Sequence, residues 1–179
     1  MLGMTDFVLQ FDASEIAGLA ARYGPEQDDE AFKAGSNIVG GNYDRENLKV
    51  IVRWKSPRKI AFIDDNTEIE IARALRFASD PRTSEKSAVG ILDKLHGVGV
   101  PIASAILTTM FPEKYTIIDF RALESLGVIK APTDSIHYYL SYLETCRELA
   151  RKHKVSMRTL DRALWQWSKQ HGTQKTGCT

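Results

Sequence analysis

The chain has 179 residues, with 24 Lys and Arg against 23 Asp and Glu and 43% hydrophobic side chains. That is enough to bury one core, with room for a division into two small lobes, and there is no internal repeat or low-complexity linker. Two cysteines, Cys146 and Cys178, make no disulfide framework, four histidines without ligand spacing exclude a recognisable metal centre, and no signal peptide or long apolar run lies near Met1. The expectation is a cytoplasmic chain with no membrane partner, no metal and no cofactor.

In chain order, Phe7 to Phe11 is a candidate short extended piece, followed by Asp12 and Glu15 as a capping box before Ile16, Leu19 and Ala20, with Gly24-Pro25 as a stop. Helices are predicted at about 26 to 36 and 43 to 55. Another starts at Asn66 or Thr67, with Ile69, Ala72, Leu75 and Arg76 at helical spacing, and one more runs from Ser84 to Leu95. Ser135 to Lys154 and Ser156 to Gln170 complete an all-α chain, since no segment sustains period-two alternation between turn signals. On the last helix, Trp165 and Trp167 point about 200° apart, so they cannot share one buried stripe and one of them is a candidate cleft or interface residue. Tyr138, Tyr139, Tyr142 and His137 lie on the helix before it, where an aromatic face makes His137 a packed or exposed residue.

From Ile91 to Leu107 apolar residues keep helical spacing on both sides of Gly97-Val98-Gly99, which predicts a helix, a hairpin and a second helix over about 92 to 107. Gly97 and Gly99 tolerate positive φ, and Pro101 suits the first turn of the second helix because its missing N–H would be unpaired anyway. The free N–H groups of that helix start carry partial positive charge, so a phosphate is the natural ligand. Such a contact positions a nucleic acid backbone and reads no sequence.

Asp119 follows the apolar run Tyr115 to Ile118 and precedes Phe120 to Leu126, a position that suits a helix N-cap. Taken with Leu95-His96-Gly97-Val98-Gly99, Ala103, Ile117-Ile118-Asp119, Arg121, Leu123 and Leu126-Gly127, it resembles the helix-hairpin-helix DNA glycosylases, the superfamily of endonuclease III and 8-oxoguanine glycosylase. The resemblance implies a two-lobed helical fold with the active-site cleft between the lobes. It implies that Asp119, in a catalytic segment of about 115 to 127, faces the scissile glycosidic bond, and that the hairpin residues Lys94, His96, Gly97, Val98, Gly99 and Val100 meet DNA. Base loss develops positive charge on the sugar, which a nearby carboxylate stabilises more in the transition state than in the ground state.

Two departures from the family pattern narrow the activity. Position 101, where bifunctional members carry the lysine that attacks the sugar, is Pro101, so a Schiff-base lyase is not expected and water positioned by Asp119 is the nucleophile. Lys55, Lys94 and Lys114 are alternative amines, and spacing favours none of them over surface charge. Two cysteines cannot supply the four thiolates of the family's iron-sulfur cluster.

The resemblance also asks for residues from the first half facing Asp119, and the candidate is Arg53-Trp54-Lys55-Ser56-Pro57-Arg58-Lys59. Arg58 and Lys59 suit phosphate contacts, more so than Lys49, while Trp54, Lys55 and Phe120 suit the pocket of an extruded base. Trp54 fits equally a buried stripe with Val50 and Ile51. Residues 1–90 carry 12 basic against 15 acidic side chains and residues 91–179 carry 12 against 8, a net +4 in the second half. Arg147, Arg151, Lys152, Lys154 and Arg158 supply part of that excess, either to steer DNA or as an ordinary solvated face.

The sequence therefore predicts a monomeric, monofunctional DNA glycosylase acting on duplex DNA with a damaged or modified base. A non-enzymatic helix-hairpin-helix DNA-binding module is the alternative, with Asp119 as a cap only, and a third reading is an interaction domain unrelated to DNA. Small size alone raises a further possibility within the enzyme reading, a hypermodified base of foreign phage DNA as substrate and an antiviral role.

Overall fold

The structure is a computed structural model that describes residues 7–172. Among these residues it is all-α: Ile16–Arg22 (α1), Asp29–Val39 (α2), Arg45–Lys55 (α3), Ile60–Ile63 (α4), Glu68–Ser79 (α5), Glu85–Asp93 (α6), Val100–Met110 (α7), Phe120–Glu124 (α8), Ile136–His153 (α9) and Met157–His171 (α10), with no strand. Cys178 lies outside the described residues. No described helix is long and apolar enough to cross a membrane.

The helix starts follow from side chains that satisfy otherwise orphaned N–H groups. Asp12 and Glu15 form both arms of a capping box on a 3-10 turn, Ala13–Glu15, that leads into α1. Thr67 and Glu70 do the same for α5, so Thr67 and not Asn66 is the cap. Asp44, Ser84, Ser135 and Ser156 cap α3, α6, α9 and α10. The helix expected at 26 to 36 begins later, at Asp29, because residues 25–28 form a 3-10 turn after Gly24, whose φ is 77°.

One continuous core runs through the molecule, from Ile16 and Leu19 on α1 to Leu160 and Leu164 on α10. α7 lies at its centre, and each residue from Ile102 to Met110 is buried. It packs against α2, α3 and α6, while α10 closes the fold on α1, α8 and α9. The expected stripe on α5 is corrected: Ile71, Ala74, Leu75 and Ala78 are buried, whereas Ile69 is 63% exposed and Ala72 and Arg76 are not in the core. Ile69 and Ile71 sit about 200° apart on a helix, so only one of them can face the neighbouring helices.

Neither the candidate extended piece Phe7 to Phe11 nor the apolar run Tyr115 to Ile118 is a strand. The Val8 and Gln10 N–H groups donate to the Leu126 and Ser125 carbonyls at 3.0 Å each, without forming a sheet. Residues 115–118 cross the core as an extended connection, tied down by hydrogen bonds to its backbone. The hydroxyls of Tyr139 and Tyr142 donate to the Thr116 and Ile117 carbonyls at 3.0 and 2.8 Å, and Ser104 Oγ accepts the Ile118 N–H at 3.1 Å. These contacts aim the chain into α8 and fix Asp119 at its start.

The hairpin between α6 and α7 is held from the side by Asn66. Its Oδ1 accepts the His96 N–H at 2.8 Å, and its Nδ2 donates to the His96 and Ile63 carbonyls at 3.0 and 3.1 Å. Gly97 has φ 80°, whereas Gly99 is extended at φ −99°, ψ 177°, so positive φ serves one of the two glycines only. A Cβ on Gly97 would sit 2.8 Å from Phe62 Cβ and 3.2 Å from the Lys59 carbonyl oxygen. Gly97→Ala is therefore expected to lower stability by about 1–3 kcal/mol. Urea unfolding reads this directly, and an unchanged midpoint would show that the hairpin tolerates a side chain there.

Candidate functional site

Asp119 is the N-cap of α8 and also half of an ion pair. Its Oδ1 accepts the Ala122 N–H at 2.9 Å, and its Oδ2 lies 2.7 Å from Lys55 Nζ, from the last turn of α3. The two side chains are only 18% and 16% exposed. Burial works to raise the Asp119 pKa, but the Lys55 ammonium, the Ala122 N–H and Arg121 outweigh it and hold the carboxyl below its ordinary value. The cap and the charged site are thus one residue using its two oxygens differently.

Asp119 and Lys55 stand where two cavities meet. The larger, about 640 Å³, is walled by Arg58 and Lys59 on one side, by Gly97, Val98, Gly99 and Pro101 of the hairpin on another, and by Phe120. The smaller, about 320 Å³, is walled by Tyr23, Gln27, Trp54, Arg158 and Asp161. Trp165 borders both, with Lys169 Nζ 4.9 Å and the Arg121 guanidinium 5.2 Å from its ring centre. Both volumes lie in the range of small-molecule and nucleotide pockets.

At the rim of the larger cavity the start of α7 has no side-chain cap. Among the described residues nothing accepts the N–H groups of Gly99 and Val100. With the dipole of α7 behind them and Arg58 and Lys59 beside them, this corner attracts anions.

Of the residues singled out from the sequence, Asp119, Lys55, Arg58, Lys59, Gly97, Val98, Gly99 and Phe120 line the larger cavity, and Trp54 joins Lys55 and Asp119 at the smaller. Trp54 is half-buried, packed edge-on against Phe32 at 6.0 Å and also bordering the smaller cavity. Lys94, His96 and Val100 do not reach either cavity: Lys94 and His96 are exposed beside the hairpin, and Val100 is fully buried. Val98 borders the larger cavity but is only 5% exposed. Of the two C-terminal tryptophans, Trp165 is the cleft residue, while Trp167 stacks on Phe11 at 5.7 Å.

Spacing gave no reason to prefer Lys55 among the lysines, yet it is the one beside the carboxylate. Lys114 lies over the Tyr115 ring at 5.1 Å, on none of the cavity walls. The basic run is also corrected. Arg147 binds Glu85 at 2.6 Å and the Lys114 carbonyl at 2.7 Å, and Arg158 is nearly buried, so neither belongs to a solvated face.

Asp28 and Asp161 were not singled out from the sequence, and Arg158 was read only as surface charge. Arg158 bridges Asp28, at 2.5 Å, and Asp161, within a cage of Tyr23, Phe32 and Trp54 rings 5.4, 5.2 and 5.7 Å from its guanidinium carbon. Arg162 also binds Asp28, at 2.9 Å. Burial pushes the Asp161 carboxyl up to about 6 in spite of Arg158. The one available sequence signal was Asp161 four residues before Trp165 on the same face of an amphipathic helix.

No family model matches the chain, and no curated protein or solved structure is significantly similar to it.

Proposed function

We propose that the protein is a monofunctional DNA glycosylase of the helix-hairpin-helix type, in which the two cavities form the cleft between two lobes. The observation that carries this reading is one cavity shared by an ionised, part-buried carboxylate and an uncapped helix start flanked by Arg58 and Lys59. A phosphate held at Gly99 brings a deoxyribose toward Asp119, and a nucleotide rotated out of the duplex has aromatic walls at Trp54, Tyr23 and Trp165 to stack on. Asp119 then offsets the positive charge that grows on the sugar as the glycosidic bond breaks, and water completes the hydrolysis to an abasic site.

The deciding experiment incubates the protein with duplexes bearing uracil, 8-oxoguanine, alkylated purines or glucosylated hydroxymethylcytosine and then applies alkali to cut abasic sites. Alkali-dependent cleavage supports hydrolysis and names the base class. Binding without cleavage on every duplex favours the non-enzymatic DNA-binding module instead. Arg58→Ala and Lys59→Ala are each expected to lower the slope of log affinity against log salt by about 1, uniformly across sequences. Unchanged slopes in fluorescence titrations would remove both residues from the DNA path.

A second reading is favoured by the 2.7 Å contact between Lys55 Nζ and Asp119 Oδ2. Lys55 brings an amine to the carboxylate from α3, which reopens attack on the sugar by lysine although position 101 is Pro101. Strand cleavage without alkali, with borohydride trapping of a protein–DNA adduct, would establish it.

A further inference from the structure

Asp161 has a geometry that its ion pair does not account for. Its side chain is 6% exposed, it lines the same small cavity as Asp119, and Arg158, one turn earlier on α10, occupies one of its oxygens. Among the described residues no group donates to the other oxygen. That oxygen is not among the fully buried polar atoms left without a partner, so it opens to the small cavity, where an incoming polar group can meet it. The chamber thus holds two carboxylates in different settings, Asp119 paired with Lys55 and Asp161 with one oxygen open.

We propose that Asp161 is the general acid that protonates the departing base, a role that rests on the glycosidic-cleavage reading above. As the bond between C1′ and the base nitrogen breaks, its electron pair passes to the base and the Asp161 proton moves to an acceptor atom of that base, which leaves neutral. Water adds its oxygen to C1′, and the proton it sheds replaces the one Asp161 gave, so one water is consumed per base released. Arg158 steadies the carboxylate that remains, and Asp119 faces the positive charge on the sugar.

The electrostatics agree with this division. Burial, with the Asp119 charge adding to it, raises Asp161 to about 6 against the pull of Arg158 and Lys55, whereas Asp119 is held low. Two carboxyls whose surroundings push them apart in this way divide naturally into acid and charge stabiliser. The other charged or titratable groups around Asp161 are Arg162 on its own helix, Tyr142 and Cys146 on α9, and Tyr23 and Asp28 from the N-terminal turn. Tyr142 and Cys146 are themselves pushed up by burial and stay neutral near pH 7.

The test compares wild type and Asp161→Asn in single-turnover excision on two classes of duplex. Uracil, hypoxanthine and 8-oxoguanine leave as anions unless a proton is supplied, whereas 7-methylguanine and 3-methyladenine are cations in the nucleotide and leave neutral without one. Wild type is expected to slow on the first class as pH rises above about 6. Asp161→Asn is expected to lose that dependence and at least about 100-fold in rate on the first class, while staying within about threefold on the cations. Equal slowing on both classes, no slowing, or a wild type that excises cations alone would overturn the acid role and leave the glycosylase reading standing. Should Asp161→Asn fail to fold, the wild-type pH profiles on the two classes read the same difference, and profiles that coincide overturn the proposal. A wild type inert on every duplex removes the glycosylase reading, and the acid role with it.

Discussion

Asp119→Asn is expected to bind duplex DNA as wild type does and to release bases about a thousandfold more slowly. A unit charge about 4 Å from the developing positive charge, at an effective dielectric of about 20, is worth roughly 4 kcal/mol, or about three decades of rate. Asparagine keeps most of the local structure, because it caps a helix as well as aspartate does and can still accept the Ala122 N–H that Oδ1 accepts at 2.9 Å. What it loses is the charge, and with it the partner of Lys55. Single-turnover kinetics beside a binding titration separate the two effects, and a variant with wild-type turnover would reduce Asp119 to a cap. The same carboxyl links stability to pH. Its folded pKa lies below the unfolded value, so its contribution is fully present above the ordinary carboxylate range and is lost as pH falls through the depressed value.

Much of the architecture was legible because its signals are local. Asp12 with Glu15, Thr67 and the capping serines 84, 135 and 156 each satisfy an N–H within three residues, so a short window of sequence contains the whole interaction. The hairpin was legible for the same reason, although only Gly97 needs a left-handed conformation. Where the reading failed, the deciding contact was distant. Ile69 and Ile71 are equal as local hydrophobes, and the packing of α5 against α6 and α2 decides between them.

The site divides along the same line. Asp119 and the hairpin stood out through spacing and resemblance, but Lys55 is 64 residues from Asp119, and Arg158 is 130 from Asp28. No periodicity links residues so far apart. A basic run such as Arg147 to Arg158 also looks uniform in sequence, yet Arg158 turns inward because a buried acidic pair waits there, while Arg151, four residues after Arg147, stays exposed. The smaller cavity therefore depends on tertiary pairing of α10 with the N-terminal turn, which is information the chain expresses only once it is folded.

Lys55→Gln follows from that pairing and separates the two chemical readings. Removing the ammonium leaves a part-buried carboxylate without its cation, and breaking a pair of this kind by deleting one partner costs about 3 kcal/mol at the low end of the usual range. Both side chains are less than a fifth exposed, so solvent screening offsets little of this. The largest influence lowering the Asp119 pKa disappears with Lys55, and burial then raises it. Under hydrolysis by water the variant is expected to fall further below wild type as pH drops and Asp119 becomes protonated, and to recover toward the wild-type rate at the same pH as pH rises. Under attack by the Lys55 amine, no pH restores the variant, and both alkali-independent strand cleavage and the borohydride adduct vanish with the substitution. Urea unfolding of the variant fixes the pH range in which it is folded, and excision rates within that range distinguish a carboxylate that has lost its counter-ion from an enzyme that has lost its nucleophile.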